Sequence, residues 1–241
     1  MEIAEVFAQY LEHLFVGKRC EARELMEATL DRGVCARKLL HSVVWPAMEQ
    51  IDKLYRQNRI TRVLHHMAIR INRMVADQLA AHLARHPKIG MRIVVVCGDG
   101  EVEELGAQVA ADLFEAEGWS VWFLGSGVPN DEVLMLLREV KPDVLCVYGT
   151  LPEGIPDLRR LIDTVREIGA YEQMQILAAG GVFNRAPGLH EEIRADLFAA
   201  DAREAITTVQ EHPVRIPRPD VPQPGRRRKR KVIRTPHVVS T

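Results

Sequence analysis

Residues 91–118, MRIVVVCGDGEVEELGAQVAADLFEAEG, decide how the rest of the chain is read. Ile93-Val94-Val95-Val96-Cys97 is an unbroken apolar run, the pattern of a strand buried on both faces. Gly98-Asp99-Gly100 breaks it. From Glu103 the period becomes helical, with Leu105, Val109, Leu113 and Phe114 on one face. Strand, loop and helix in that order form the first unit of a doubly wound sheet. Ligands of such sheets sit outside the C-terminal ends of the strands, so this loop should border a site. Asp99, Glu101, Glu103 and Glu104 place four carboxylates at the helix start. They suit the positive end of a helix dipole, and they disfavour a nucleotide phosphate there. Either they only cap the helix, or one of them faces a ligand.

Downstream, strand-like runs recur at about Arg92–Cys97, Val121–Leu124, Val144–Tyr148, Gln175–Ala178 and Leu197–Ala199. Helical patterns separate them, which predicts a five-stranded parallel α/β sheet, Rossmann-like and flavodoxin-like, with helices on both faces. Upstream the pattern is helical only. Ile3 through Phe15 has helical spacing and Gly17 ends it. Further helices are expected over about Lys18–Leu30, Val34–Arg56 with a bend at Pro46, and Thr61–Ala84 with Thr61 near its cap. They make a four-helix bundle. The expected division is a bundle over 1–87, a sheet domain over 88–212 and a tail over 213–241.

Composition sets outer limits. Hydrophobic residues make up 47% of the 241, enough for a sizeable core. No run of eighteen apolar residues exists, and the acidic, amphipathic start MEIAEVFAQY is unlike a signal peptide. Cys20, Cys35, Cys97 and Cys146 show no paired spacing, so a cytoplasmic chain without disulfides is expected. The net charge of −1 hides an asymmetry: 213–241 holds nine Lys and Arg against Asp220, leaving −9 on the rest. Arg226, Arg227, Arg228, Lys229, Arg230 and Lys231 run consecutively in this proline-rich tail. Such a run is either a solvated terminus or a contact for phosphates or an acidic surface.

The ordered segments resemble the cobalamin-binding domain together with the helical bundle that precedes it in corrinoid carriers and cobalamin-dependent regulators. The marks are Leu124-Gly125 followed by Val128-Pro129, Pro142-Asp143-Val144-Leu145, Gly180-Gly181, and Ala195-Asp196-Leu197-Phe198-Ala199-Ala200-Asp201-Ala202. In the family a D-x-H-x-x-G motif on the first loop supplies a histidine that can ligate cobalt from below. Aligning its glycine on Gly106 puts Glu103 at the histidine and Glu101 at the aspartate, so both motif residues are lost. A carboxylate is a harder ligand than imidazole. Tyr148 stands where the family commonly has serine, with Thr150 two residues on, and it could fill space a nucleotide tail would take. In the regulators a tryptophan and a Glu-His pair cover the upper face of the cofactor. Here Tyr55, His65 and His66 take those places.

Each position also has a plain reading. His65 and His66 diverge by about 100° on a helix, so one buried and one surface histidine would account for them. Gly180 and Gly181 suit a tight turn as well as close approach to a flat ligand. Gly125-Ser126-Gly127 matches no full phosphate-binding pattern. His82 and His86 would share a helix face if the fourth helix reached them, but they lack further metal ligands, and no nucleophile–base set is evident. The resemblance with its losses implies a non-catalytic sensor or regulator. It would bind a corrinoid without a histidine lower ligand, or haem or a bilin. It would act on a transcription factor, another regulatory protein or nucleic acid, or pair with a second copy of itself, without a membrane. A corrinoid carrier for methyl transfer and a ligand-free assembly module are the alternatives.

Overall fold

A computed structural model describes residues 2–98, 104–169 and 171–216. Five parallel strands form one sheet in the order β2-β1-β3-β4-β5: β1 Arg92–Cys97, β2 Ser120–Gly125, β3 Val144–Tyr148, β4 Gln175–Ala179 and β5 Leu197–Ala199. The fold is α/β, with a helical bundle ahead of a Rossmann-like sheet domain. Alternation along β1 divides the interior. Ile93, Val95 and Cys97 face one core with the bundle and with α6 (Leu105–Ala116) and α11 (Ala202–Glu211). Val94 and Val96 face a second core, built with α7 (Asn130–Val140) and α8 (Ile155–Ile168). The apolar run at 93–97 is therefore covered on both sides, as its lack of polar alternation requires. Two short helices, α9 (Gly181–Arg185) and α10 (Leu189–Glu192), join β4 to β5.

The bundle holds α1 (Ile3–Val16), α2 (Arg19–Asp31), a short α3 (Ala36–Leu39), a π-helical turn at Leu40–Val44, α4 (Trp45–Arg56) and α5 (Arg62–Ala80). The helix expected over Val34–Arg56 runs without a break from Ala36 to Arg56, its α ladder interrupted by the π turn just ahead of Pro46. Pro46 brings no N–H to the first turn of α4, so a regular ladder cannot pass through it, and the turn before it widens. Thr61 caps α5 as expected, its hydroxyl accepting from the Leu64 N–H at 3.3 Å. That helix stops at Ala80 rather than Ala84. The N–H groups of His82 and Leu83 fold back to Leu79 and Ala80, and the His86 N–H reaches the Ala116 carbonyl at 2.7 Å, which pulls the chain off the helix axis. The C-terminal end also departs from expectation. Order extends past His212: Arg215 Nε donates to Asp196 Oδ1 at 2.9 Å, and Arg166 pairs with the same carboxylate.

One polar network ties the π turn to its neighbours. Tyr10 and Asn72 are fully buried; the Tyr10 hydroxyl donates to Asn72 Oδ1 at 2.8 Å, and Asn72 Nδ2 donates to the Val44 carbonyl at 3.1 Å. Burial pushes the Tyr10 pKa well up, so the phenol stays a neutral donor. Tyr10→Phe removes a donor from a buried acceptor and should cost about 1–2 kcal/mol. Urea unfolding checks this, and an unchanged midpoint would contradict it.

Where α5 meets α6, Asp112 carries a carboxyl oxygen that is buried without a hydrogen-bond partner among the described residues. Burial, then Asp77 and Glu115, push its pKa up from 3.8 to about 6. A folded value above the unfolded one means that the charged carboxylate opposes folding. The penalty is absent below pH 4 and grows as pH rises from about 4 to 6. Asp112→Asn should therefore stabilise the protein at pH 7.5 by roughly 1 kcal/mol, after discounting for partial exposure. The gain should shrink toward zero at pH 4, which thermal melts across that range measure.

Candidate functional site

The C-terminal ends of the strands face α4 across a cleft of about 230 Å³. From α4 it is lined by Trp45, Met48, Glu49, Asp52, Lys53 and Arg56, and from the sheet side by Tyr148, Thr150, Gly181, Asn184, Arg185 and Ala200. The α4 contributors recur at helical spacing, so one face of one helix forms the wall. Its N-terminal half is apolar and its C-terminal half charged. Arg185 Nη2 donates to the Thr150 carbonyl and so fixes the turn after β3.

Tyr55, His65 and His66 do not line this cleft. His65 is 1% exposed, stacks on Tyr55 with ring centroids 4.3 Å apart, and meets the half-buried His66 edge-on at 5.8 Å. His65 Nε2 and Asp52 Oδ1 are 3.2 Å apart, and a carboxylate only accepts, so the imidazole donates. Asp52 is also 3.7 Å from Arg56. The histidine pair thus reaches the cleft through Asp52, one layer back.

Among the sheet residues, Tyr148 and Thr150 are buried, and both line the cleft with Gly181. Gly180 is explained by the backbone. Its φ is +108°, and a Cβ there would overlap the Gly149 carbonyl oxygen. Gly106 lies against the Tyr148 phenol. Glu103 and the Arg226–Lys231 run lie outside the described residues.

Glu104 shows what the acidic loop does where it is described. Its side chain does not cap α6. It crosses to the loop after β2, where Oε1 accepts the Ser126 N–H at 2.7 Å and the Ser126 hydroxyl, while Arg73 of α5 stands 3.6 Å from Oε2. One carboxylate thereby joins bundle, first loop and second loop. The amide that an anion would use at Gly125-Ser126-Gly127 is already taken, in keeping with a turn rather than a phosphate loop. Sequence reading missed Glu104 as a tether and Asp52 and Arg56 as cleft residues. The 45-48-49-52-53-56 spacing was the available signal for the latter. Glu104→Gln should speed amide exchange at Ser126 and lower stability by about 1 kcal/mol, since bonds to charged acceptors are the stronger ones. Exchange at the wild-type rate would remove the tether.

Residues 91–210 match the B12 binding domain. They belong to the B12-binding domain family. A dimethylamine corrinoid protein of Methanosarcina acetivorans is 22% identical over 197 residues, which cover 79% of this chain and 85% of that protein. A second, from Methanosarcina mazei, is 25% identical over 120 residues, 49% of this chain and 71% of that one. The monomethylamine corrinoid protein of Methanosarcina barkeri superposes with a TM-score of 0.78 at 18% identity, covering 86% of this chain and 97% of its own. That superposition shows a shared fold of helical bundle plus B12-binding domain. The relatives overturn the expectation of a sensor acting on transcription or nucleic acid, because they are dimethylamine corrinoid proteins. Nor do they support haem or a bilin as the ligand. No described helix is long and apolar enough to cross a membrane.

Proposed function

We propose that this chain is a corrinoid carrier for methyl transfer. The observation that carries the reading is the likeness to a dimethylamine corrinoid protein over 197 residues, which takes in bundle as well as sheet. A bound corrinoid supplies a cobalt centre that accepts and releases a methyl group. The chain's own part is to hold that ring and present it. A separate methyltransferase performs the catalysis and is the natural partner.

The cleft supports this in part. It lies outside the strand ends, where ligands of open α/β sheets bind. It offers an apolar wall at Trp45 and Met48, with polar groups at Thr150, Asn184, Glu49 and Asp52 that suit the amide side chains of a corrin rim. At about 230 Å³ it is below the ~300–1,000 Å³ of pockets for drug-sized ligands, so a macrocycle has to part α4 from the sheet edge. The family's lower histidine has no counterpart, since Glu103 holds its place in the sequence. A corrinoid held here would receive no histidine from this loop.

Reconstitution tests the proposal. Protein incubated with cobinamide or with hydroxocobalamin and then desalted should carry one corrinoid per chain, visible by absorbance. Retention of neither would overturn the carrier reading. Asp52→Ala should weaken retention by about tenfold, the cost of one good polar contact, whereas His66→Ala should leave it within a factor of two.

A further inference from the structure

The strand order reverses between β1 and β3, and in open α/β sheets the crevice at that reversal is the ordinary place for a ligand to insert. In this chain both sides of that crevice are filled by the protein itself. Cys97 and Tyr148, the last residues of the two strands, are register partners, and the Gly98 N–H donates to the Tyr148 carbonyl at 3.0 Å. On the bundle side the Tyr148 phenol, 3% exposed, lies across the first turn of α6. A Cβ at Gly106 would overlap its hydroxyl oxygen, stand 2.7 Å from Cζ and meet the Met48 methyl at 3.3 Å. On the other side a Cβ at Gly98 would stand 2.9 Å from the Gly154 Cα. Two glycines thus allow the chain to close on itself where an inserted group would go. Open space lies to one side, in the cleft under α4 whose wall includes Tyr148, and farther along α6 in a separate cavity of about 240 Å³ lined by Trp45, Val109 and Leu113.

Resting on the carrier reading, we infer that Tyr148 is a plug that selects the form of corrinoid. The site takes the ring without inserting a nucleotide tail into the sheet. A cobalamin carries a bulky base-and-ribose tail on one face of its ring, and a cobinamide lacks it. With the crevice filled, the tail finds no buried contact between β1 and β3. A carrier of this kind accepts tail-free corrinoids, or holds a complete one with its tail outside the protein. Met48 packs on the same spot from α4, so the bundle helps to keep the phenol seated.

The test is a pair of equilibrium titrations, cobinamide and hydroxocobalamin, followed by visible absorbance on the full chain. Wild type should bind cobinamide at least as tightly as cobalamin, within about threefold, and Tyr148→Phe should behave the same because the ring is kept. Tyr148→Ala should raise the affinity for cobalamin relative to cobinamide by at least about tenfold, a ratio in which the loss of a wall residue common to both ligands cancels. Circular dichroism first establishes that the variant is folded. If it is not, the wild-type ratio and Tyr148→Phe decide. Wild-type preference for cobalamin by tenfold or more would overturn the plug while leaving the carrier reading intact, since the tail would then be making contacts. An equal response of both ligands to Tyr148→Ala would also overturn it. Binding of neither ligand by any form would overturn the carrier reading, and the selectivity with it.

Discussion

A phenol and a missing side chain occupy the same point: the Tyr148 hydroxyl stands where a Cβ at Gly106 would be. Much of the domain arrangement depends on that contact. Because position 106 has no side chain, the start of α6 can lie close to the end of β3. Tyr148 and the Met48 methyl of α4 both pack at the position a Cβ on Gly106 would take. The cleft that remains is the space the tyrosine does not take. Its chemistry belongs to α4 and to the turns after β3 and β4 rather than to the reversal point between β1 and β3.

Bundle and sheet are held as one body by two kinds of force. The larger is apolar: the core behind Ile93, Val95 and Cys97 runs without interruption into the interior of the bundle. The second is a few polar ties with fixed geometry. Glu104 links Arg73 of α5 to Ser126 after β2. Arg37 of α3 reaches Glu117 beyond α6 at 2.7 Å. The linker is stitched to the end of α6 by His86 and Ile89 through Ala116 and Gly118. Partly exposed ion pairs contribute about 1 kcal/mol or less each, so these ties fix orientation while the apolar core supplies most of the stability. An interface that is apolar beneath and lightly tied at the cleft can part on the α4 side while α5 and α6 stay packed.

The fold was largely legible because its signals are local. Unbroken apolar runs marked the two-sided strands, and β1, β3 and β5 have the bounds their sequences predict. Helix interiors were equally clear, but their ends were not. The π turn depends on Pro46 and on Asn72, which is distant in sequence and donates to the released Val44 carbonyl. The end of α5 depends on a bond to Ala116 that no local pattern announces. The site was legible only in outline. Losing the motif histidine pointed toward a regulator, because a position read alone carries no information about the surrounding chain. Likeness over most of the length to dimethylamine corrinoid proteins outweighs that single position. Tyr148 was flagged as an obstruction from its place in the pattern, and the structure adds that Gly106 and Met48 are shaped around it. For Glu104 the local pattern offers helix capping or a ligand contact, whereas its partners lie on another loop and another helix.

Crystals grown with a bound corrinoid, measured at the cobalt absorption edge, test the central claim most directly. The account places a single anomalous peak between α4 and the turns carrying Thr150 and Gly181, with the Tyr148 ring still packed on Gly106. A cobalt peak elsewhere on the molecule, or none under conditions where the ligand is present in excess, would contradict it.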